Sequence, residues 1–203
     1  MKIDLDVRTF LPFTLSFILF TIIGTLSHEG GHILVAKALG YQTKLHFASM
    51  SWNSHADFND RHHFMILCGG IFQSMLTGSL GFGLLLYRRF KLLTWNKTDY
   101  LLVFLTLFWT RPVFNVIISI TLAFNDLQPF YFGGDESEMA AIVNLPPGFF
   151  ALLFGSLGLF FCTYTVFKLI PKYQRFTFII SGFYGGLSGY GLWMKTIGPL
   201  LLP

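Results

Sequence analysis

The feature that most constrains this chain is a series of long apolar runs separated by short polar segments. Crossing the roughly 30 Å hydrocarbon layer of a bilayer takes about 20 helical residues. Four runs reach or nearly reach that length, at residues 9–27, 64–87, 100–124 and 147–170. A fifth run, at residues 176–202, is rich in glycine, which lets neighbouring helices approach closely. The runs predict about five transmembrane helices, the first of which continues as a helix to residue 40.

The composition excludes a soluble globular protein. Only 12% of the 203 residues are charged and 53% are apolar, whereas a soluble domain carries about 25% charged residues. We therefore predict an all-α integral membrane protein of the multi-pass type, embedded in the lipid bilayer, with residues 1–203 forming one transmembrane domain. Between the first two spans, Lys44 to Trp52 alternates loosely. This segment predicts either a short membrane-associated strand or hairpin, or an irregular loop.

The charged residues are distributed as in a membrane protein. The net charge of +4 is scattered between the spans, so no nucleic-acid partner is expected, and no pattern indicates an oligomeric state. Lys and Arg follow the second and fourth spans, and an acidic segment follows the third. Because Lys and Arg mark cytoplasmic loops, this pattern favours a cytoplasmic N-terminus, but Lys44 and Arg61 in the first loop favour the opposite orientation, so both sides stay open. Spans one and three run parallel, so the end of span one and the acidic segment emerge at the same membrane face.

An H-E-x-x-H pattern ends the first span. Its residues are His28, Glu29 and His32. Residues four apart share a helix face, so both imidazoles can bind one metal ion. Zinc accepts two nitrogens and a carboxylate oxygen, and it leaves a fourth position for water. The pattern predicts one zinc ion per chain, with Glu29 as the general base that activates the water.

Two glycines inside this motif also need an explanation. Gly30 and Gly31 each lower helix stability by about 1 kcal/mol relative to Ala. Their presence in a helix predicts that another backbone approaches closely there, either a substrate strand or a tightly packed neighbouring helix.

Three motifs together resemble the site-2 protease family of intramembrane zinc metalloproteases. The first is the H-E-x-x-H pattern, the second is the Gly-rich segment Cys68–Gln73, and the third runs from Asn125 through Pro129 to Asp135. The resemblance implies a zinc metalloendopeptidase that takes part in regulated intramembrane proteolysis and cleaves membrane-anchored protein substrates. It also implies that Asp135 is the third zinc ligand. The third motif is longer than the family pattern, and Gly134 precedes Asp135 where the family has a Gly after the Asp. Glu136 and Glu138 are therefore alternative ligands, and a solvated acidic loop is the remaining alternative.

Other polar residues in apolar surroundings have two interpretations each. Arg111 and Asn115 flank Pro112 in the third span, where they either satisfy carbonyls freed by a proline kink or contact substrate. The remaining histidines are expected to be interfacial polar residues, and the two cysteines small buried hydrophobes. These residues are His46, His55, His62, His63, Cys68 and Cys162.

Two other functions fit parts of the pattern. One is a membrane zinc protease similar to the CaaX prenyl proteases, in which Glu138 supplies the third ligand. The other is a non-catalytic membrane protein that binds or transports metal. Glu29 favours an enzyme, because a carrier needs no base one residue past a ligand.

Overall fold

The computed structural model describes residues 5–53, 58–124 and 132–203, and it is an all-α membrane protein with one small hairpin. Eight α-helices occur in the described ranges, two of them continued by a π-helical turn. The helices are α1 Val7–Ala38, α2 Asp60–Phe90, α3 Lys97–Thr106, α4 Thr110–Phe124, α5 Asp135–Ile142, α6 Phe149–Tyr164, α7 Arg175–Leu192 and α8 Gly198–Leu201. The π-helical turns are Thr165–Leu169 after α6 and Trp193–Ile197 after α7.

Four helical segments in the described residues are long and apolar enough to cross a membrane. They are Val7–Ala38, Asp60–Phe90, Lys97–Phe124 and Phe149–Leu169, with mean hydropathy between 1.4 and 1.9. These segments match the first four predicted spans. The fifth predicted run is helical from Arg175 to Leu201. Its glycine-rich composition lowers its hydropathy, so it is not among the four.

The outer face of α1 shows why an apolar chain of this kind needs lipid. Leu11, Leu15 and Leu19 are four residues apart and are more than half exposed. Residues at this spacing lie on one helix face, so α1 presents a continuous aliphatic stripe to its surroundings. Water would hydrate that stripe at a large free-energy cost, whereas lipid tails contact it without such a cost.

The inner face of α1 packs against α2 and α7. The largest buried cluster joins these helices to α3 and includes Phe13, Leu85 and Phe178. Gly185 of α7 lies against α1 so closely that an added Cβ atom would stand 2.5 Å from the Thr14 carbonyl oxygen. Gly182, Gly185 and Gly189 therefore allow the close helix packing that the sequence predicts, whereas nothing lies within 4 Å of the Cβ positions of Gly186 and Gly191.

The third span is not one straight helix. A 3-10 turn at Leu107–Trp109 separates α3 from α4. Proline has no N–H, and its ring clashes with the carbonyl four residues earlier. For Pro112 that carbonyl belongs to Phe108, inside the turn. The proline thus accounts for the 3-10 turn between α3 and α4.

The predicted hairpin is present between α1 and α2. Strands β1 Thr43–Leu45 and β2 Met50–Trp52 pair antiparallel. The Phe47 amide between them donates to the Leu202 carbonyl at 3.0 Å. The Trp193 indole N–H donates to the Phe47 carbonyl at 2.6 Å. These two bonds attach the hairpin to the C-terminal end of the last helices.

Candidate metal centre

The two histidines of the motif lie on one face of α1 and are almost completely buried. His28 is 1% exposed and His32 is 5% exposed. Their Nε2 atoms are 3.0 Å apart. The i, i+4 spacing thus brings the two imidazoles together, as the helical register requires.

Helix α5 adds a carboxylate to this pair. Asp135 is the first residue of α5 and follows Gly134, whose φ of 85° is in a region that favours glycine. The Asp135 Oδ2 atom lies 2.7 Å from His28 Nε2 and 3.2 Å from His32 Nε2. The acidic segment after the third span therefore contacts the end of the first span. This contact agrees with the prediction that both emerge at the same membrane face.

The spacing of these three atoms fits a zinc ion. Zinc holds nitrogen and oxygen ligands at about 2.0–2.2 Å, so ligand atoms of a tetrahedral site lie about 3.3 Å apart. The three distances here are 2.7, 3.0 and 3.2 Å. Two imidazole nitrogens with one carboxylate oxygen are also a donor set that catalytic zinc sites use. His28, His32 and Asp135 thus fit the group that the sequence predicts.

Helix α2 orients both imidazoles through contacts with their Nδ1 atoms. His32 Nδ1 donates to the Ile66 carbonyl at 2.7 Å, and His28 Nδ1 hydrogen-bonds with the Ser74 hydroxyl at 3.1 Å. Such partners fix the ring orientation and leave Nε2 available to a metal. The Gly70 amide lies 3.3 Å from His32 Nδ1, and the shorter Ile66 contact identifies Nδ1 as the donor.

Glycines allow α2 to come this close to the motif. An added Cβ atom on Gly31 would lie 2.4 Å from the Gly69 carbonyl oxygen, and one on Gly69 would lie 2.5 Å from the Gly31 carbonyl oxygen. A Cβ atom on Gly70 would lie 2.3 Å from His32 Nε2. The predicted close approach at Gly31 is therefore the neighbouring helix. Gly30 has no atom within 4 Å of its Cβ position.

The three acidic residues of α5 have different surroundings. Burial alone would raise the pKa of the Asp135 carboxyl, but hydrogen bonds from His28 and His32 outweigh it and hold this pKa below its usual range. Glu136 is 3% exposed and accepts from the Asn115 amide at 3.1 Å, and burial raises its pKa. The Glu138 side chain is 58% exposed and lies 3.2 Å from His63 Nε2. Of the three carboxylates, only Asp135 is placed against the two motif histidines.

Glu29 lies beside the histidines and faces a cation. A carboxylate oxygen of Glu29 and one nitrogen from each histidine all lie within 4.8 Å of one another. Its Oε1 atom is 3.7 Å from Arg111 Nη2. Arg111 and Asn115 are four residues apart on α4, so the third span directs its two internal polar side chains toward Glu29 and Glu136. These contacts are with carboxylates and not with carbonyls freed by Pro112, and contact of Arg111 and Asn115 with substrate stays a prediction.

The remaining predicted polar residues lie elsewhere. His62 hydrogen-bonds with the Tyr41 hydroxyl at 2.7 Å, and His46 hydrogen-bonds with the Pro203 carbonyl at 2.7 Å. His55, Asn125 and Pro129 fall outside the described residues. Sequence reasoning missed Ser74 as a partner of His28. Its signal was the i, i+4 spacing from Gly70, which places both on the α2 face that packs on the motif.

A comparison with known families gives one match. The family model described as Peptidase M50B-like matches residues 9–173. This range holds all but the first two residues of α1, all three predicted motifs and α6, and it ends before α7. No curated protein and no solved structure matches the chain.

Proposed function

The chain belongs to the Peptidase M50B-like family, and from this premise we propose that it is a multi-pass zinc endopeptidase of the site-2 protease type. Its substrates are membrane-anchored proteins, which it cleaves at or within the bilayer. The observation that carries the proposal is the convergence of His28 Nε2, His32 Nε2 and Asp135 Oδ2 within 3.2 Å of one another. His28 and His32 lie on a helix long and apolar enough to span a membrane, and α5 supplies Asp135.

In this proposal, His28, His32 and Asp135 hold one zinc ion. When bound, zinc polarises a carbonyl group and lowers the pKa of a water molecule to about 7. The contacts of Ser74 and Ile66 with the histidine Nδ1 atoms hold the rings in the orientation that this binding needs.

Glu29 acts as the general base and then as the general acid. Its Oε1 atom accepts a proton from the attacking water and passes it to the nitrogen of the leaving amine. The Arg111 guanidinium, 3.7 Å from Oε1, keeps the carboxylate oriented between these two transfers. General acid–base catalysis contributes typically about 10²–10⁴-fold to a rate, so most turnover depends on this one side chain.

The substrate must present an extended backbone to this group. A helical peptide hides its carbonyls in its own hydrogen bonds, so the substrate helix unwinds near the site before it is cut. The segment from Leu45 to Trp52, which contains most of the β1–β2 hairpin, offers a strand edge that pairs with the unwound stretch as an added strand.

The alternative functions receive less support from the geometry. A CaaX-prenyl-protease-like enzyme would use Glu138 as the third ligand, but that carboxylate is mostly exposed and contacts His63. A non-catalytic metal binder has no use for Glu29, which is 5% exposed beside the two histidines. Burying a carboxylate in a membrane helix is costly, which favours a chemical role for it.

The proposal is tested by co-expressing the protein with single-span substrates and following cleavage, while metal content is measured on the purified protein. We expect the wild-type protein to hold about one zinc ion and to cut, and Glu29→Gln to keep zinc while cutting at least about 10²-fold more slowly. Glu138→Gln is the matched control and should cut like the wild type. Equal cleavage by wild type and Glu29→Gln would exclude Glu29 as the base.

A further inference from the structure

A cavity of about 540 Å³ lies beside the metal centre, between α1, α4 and α7. Its polar end includes Ser74, Arg111 and Asn115. Ser74 is the hydroxyl that contacts His28, and Arg111 is the cation that faces Glu29. Thr25, which also lines the cavity, precedes Glu29 by one helical turn. The cavity therefore begins at residues that contact His28 or Glu29, and it extends from there along α1, toward its N-terminal half.

Apart from Thr21, Thr110 and Tyr190, the rest of the cavity wall is apolar and largely aromatic. Phe17, Phe20, Phe104, Phe108, Phe114 and Phe183 contribute to it. Ligand pockets are commonly about 300–1,000 Å³, with apolar walls and a few polar groups that orient the ligand. An aromatic wall with a polar end therefore suits a large apolar group attached to a polar backbone.

Two of the three glycines in the cavity wall distinguish it from the packed interfaces of the protein, since only the third, Gly182, has a neighbour there, the Phe17 ring at 3.0 Å from an added Cβ atom. Gly31 and Gly185 meet a neighbouring backbone at 2.4–2.5 Å from an added Cβ atom, so close packing explains them. By contrast, Gly24 of α1 and Gly186 of α7 line the cavity, and nothing lies within 4 Å of their Cβ positions. Helix packing does not require these two glycines. Their effect is to keep the cavity open from both sides.

We propose that this cavity is the specificity pocket of the protease, which receives a large apolar side chain, aromatic or branched aliphatic, next to the scissile bond. This inference rests on the proposed function. Thr25, Ser74, Arg111 and Asn115 face the polar backbone of the substrate, and the phenylalanines contact the apolar side chain. Substrates with Phe or Leu beside the cleavage point are then cut faster than those with Ala.

The test fills the cavity without disturbing helix packing. Gly24→Leu and Gly186→Leu place a side chain into open space, and Gly191→Leu is the matched control. Gly191 is also on α7 and has no atom within 4 Å of its Cβ position, but it does not line the cavity. One single-span substrate is made with Phe, Leu or Ala at each position flanking the cut. For the wild type and Gly191→Leu we expect a Phe-to-Ala rate ratio of at least about 10. For either filling variant the ratio should fall toward 1, while zinc content stays at the wild-type level.

A second measurement separates this proposal from the proposed function. Glu29→Gln protein is photo-crosslinked to the substrate carrying benzoylphenylalanine beside the cut, with and without Gly186→Leu. Loss of the crosslink in the filled variant supports the pocket even if no substrate is cleaved. Cleavage with the same Phe-to-Ala ratio in the filled variants and the wild type would overturn the pocket and leave the protease intact. Unchanged crosslinking, together with loss of a co-purified phospholipid in native mass spectrometry, would also overturn it and identify a lipid site.

Discussion

Two groups of charged side chains are buried at opposite ends of the helices, and they are built differently. Asp99, at the start of α3, is 2% exposed. Its carboxylate accepts hydrogen bonds from Arg88 Nε at 2.8 Å and Nη2 at 3.1 Å, and from the backbone N–H of Asn96 at 2.8 Å. Arg88 lies fourteen residues beyond Ser74 on α2, about 21 Å along the helix axis, so this pair is far from the metal centre.

The candidate metal centre is arranged differently. There, two imidazole nitrogens and one carboxylate oxygen lie within 3.2 Å of one another around one point, and in the proposed function one metal cation would bind all three. Glu29 has its Arg111 partner only at 3.7 Å, longer than a hydrogen bond. The comparison teaches that buried charge in this protein is of two kinds. Arg88 and Asp99 bind each other through two hydrogen bonds and stabilise the fold, whereas we propose that the His and Asp cluster holds a metal ion.

Removing the histidines should have the largest effect, which is complete loss of zinc from the metal centre. In His28→Ala/His32→Ala, two of the three proposed ligands are gone, so zinc measured on the purified protein should fall from about one ion per chain to none. Asp135→Ala should weaken zinc binding more than Glu136→Ala or Glu138→Ala, because only Asp135 contacts the imidazoles.

Full zinc occupancy in the double variant would place the metal elsewhere. A larger loss of zinc in Glu138→Ala than in Asp135→Ala would move the protein toward the CaaX-prenyl-protease-like alternative.

The next effect concerns the partner of His28. In Ser74→Ala the His28 Nδ1 atom loses its hydroxyl contact, and removal of such a partner typically lowers metal affinity about 10–100-fold. Zinc affinity is measured by competition with a chelator of known affinity. Thr77→Ala, three residues further along α2, is the control because Thr77 contacts Gln73 and not a histidine. Equal zinc affinity in wild type and Ser74→Ala would show that Ser74 does not orient the ligand.

A substitution in the Arg88–Asp99 pair should lower stability and leave zinc content unchanged. Asp99→Ala removes the partner of Arg88 and half of a capping box with Asn96. Loss of such a cap costs about 1 kcal/mol, or roughly 2–4 °C in Tm for a chain of this size. Zinc per chain should stay at the wild-type value. A drop in zinc content without a drop in Tm would mean that the two ends are coupled and not independent.

The same contrast shows what the sequence could predict. The apolar runs predicted the first four long helices because span length is fixed by bilayer thickness, and the i, i+4 spacing placed His28 and His32 together because a helix has one register. The choice among the acidic residues required the structure. Asp135 and Glu136 point about 100° apart on α5, so the orientation of that helix decides which one meets the histidines.

Partners supplied by helix crossings could not be predicted from local pattern. Ser74 and the Ile66 carbonyl reach the histidines only because Gly31 and Gly69 let α1 and α2 touch. Arg88 was interpreted from the sequence as a topology signal alone, and its pairing with Asp99 depends on the turn between α2 and α3. Each of these contacts joins residues that are distant in sequence or separated by a loop.

The smallest expected effect comes from two exposed glycines, one at each end. Gly30 lies in the H-E-x-x-H motif and Gly83 lies near Arg88 on α2, and neither has an atom within 4 Å of its Cβ position. Replacing either with Ala should therefore stabilise its helix by up to about 1 kcal/mol, seen as a small rise in Tm. Activity should separate them. If a substrate strand approaches the backbone at Gly30, Gly30→Ala slows cleavage of a single-span substrate while zinc content is unchanged, and Gly83→Ala cleaves like the wild type. Equal cleavage by both variants would show that substrate does not approach the backbone at Gly30. The presence of Gly30 would then be explained neither by substrate nor by packing against α2.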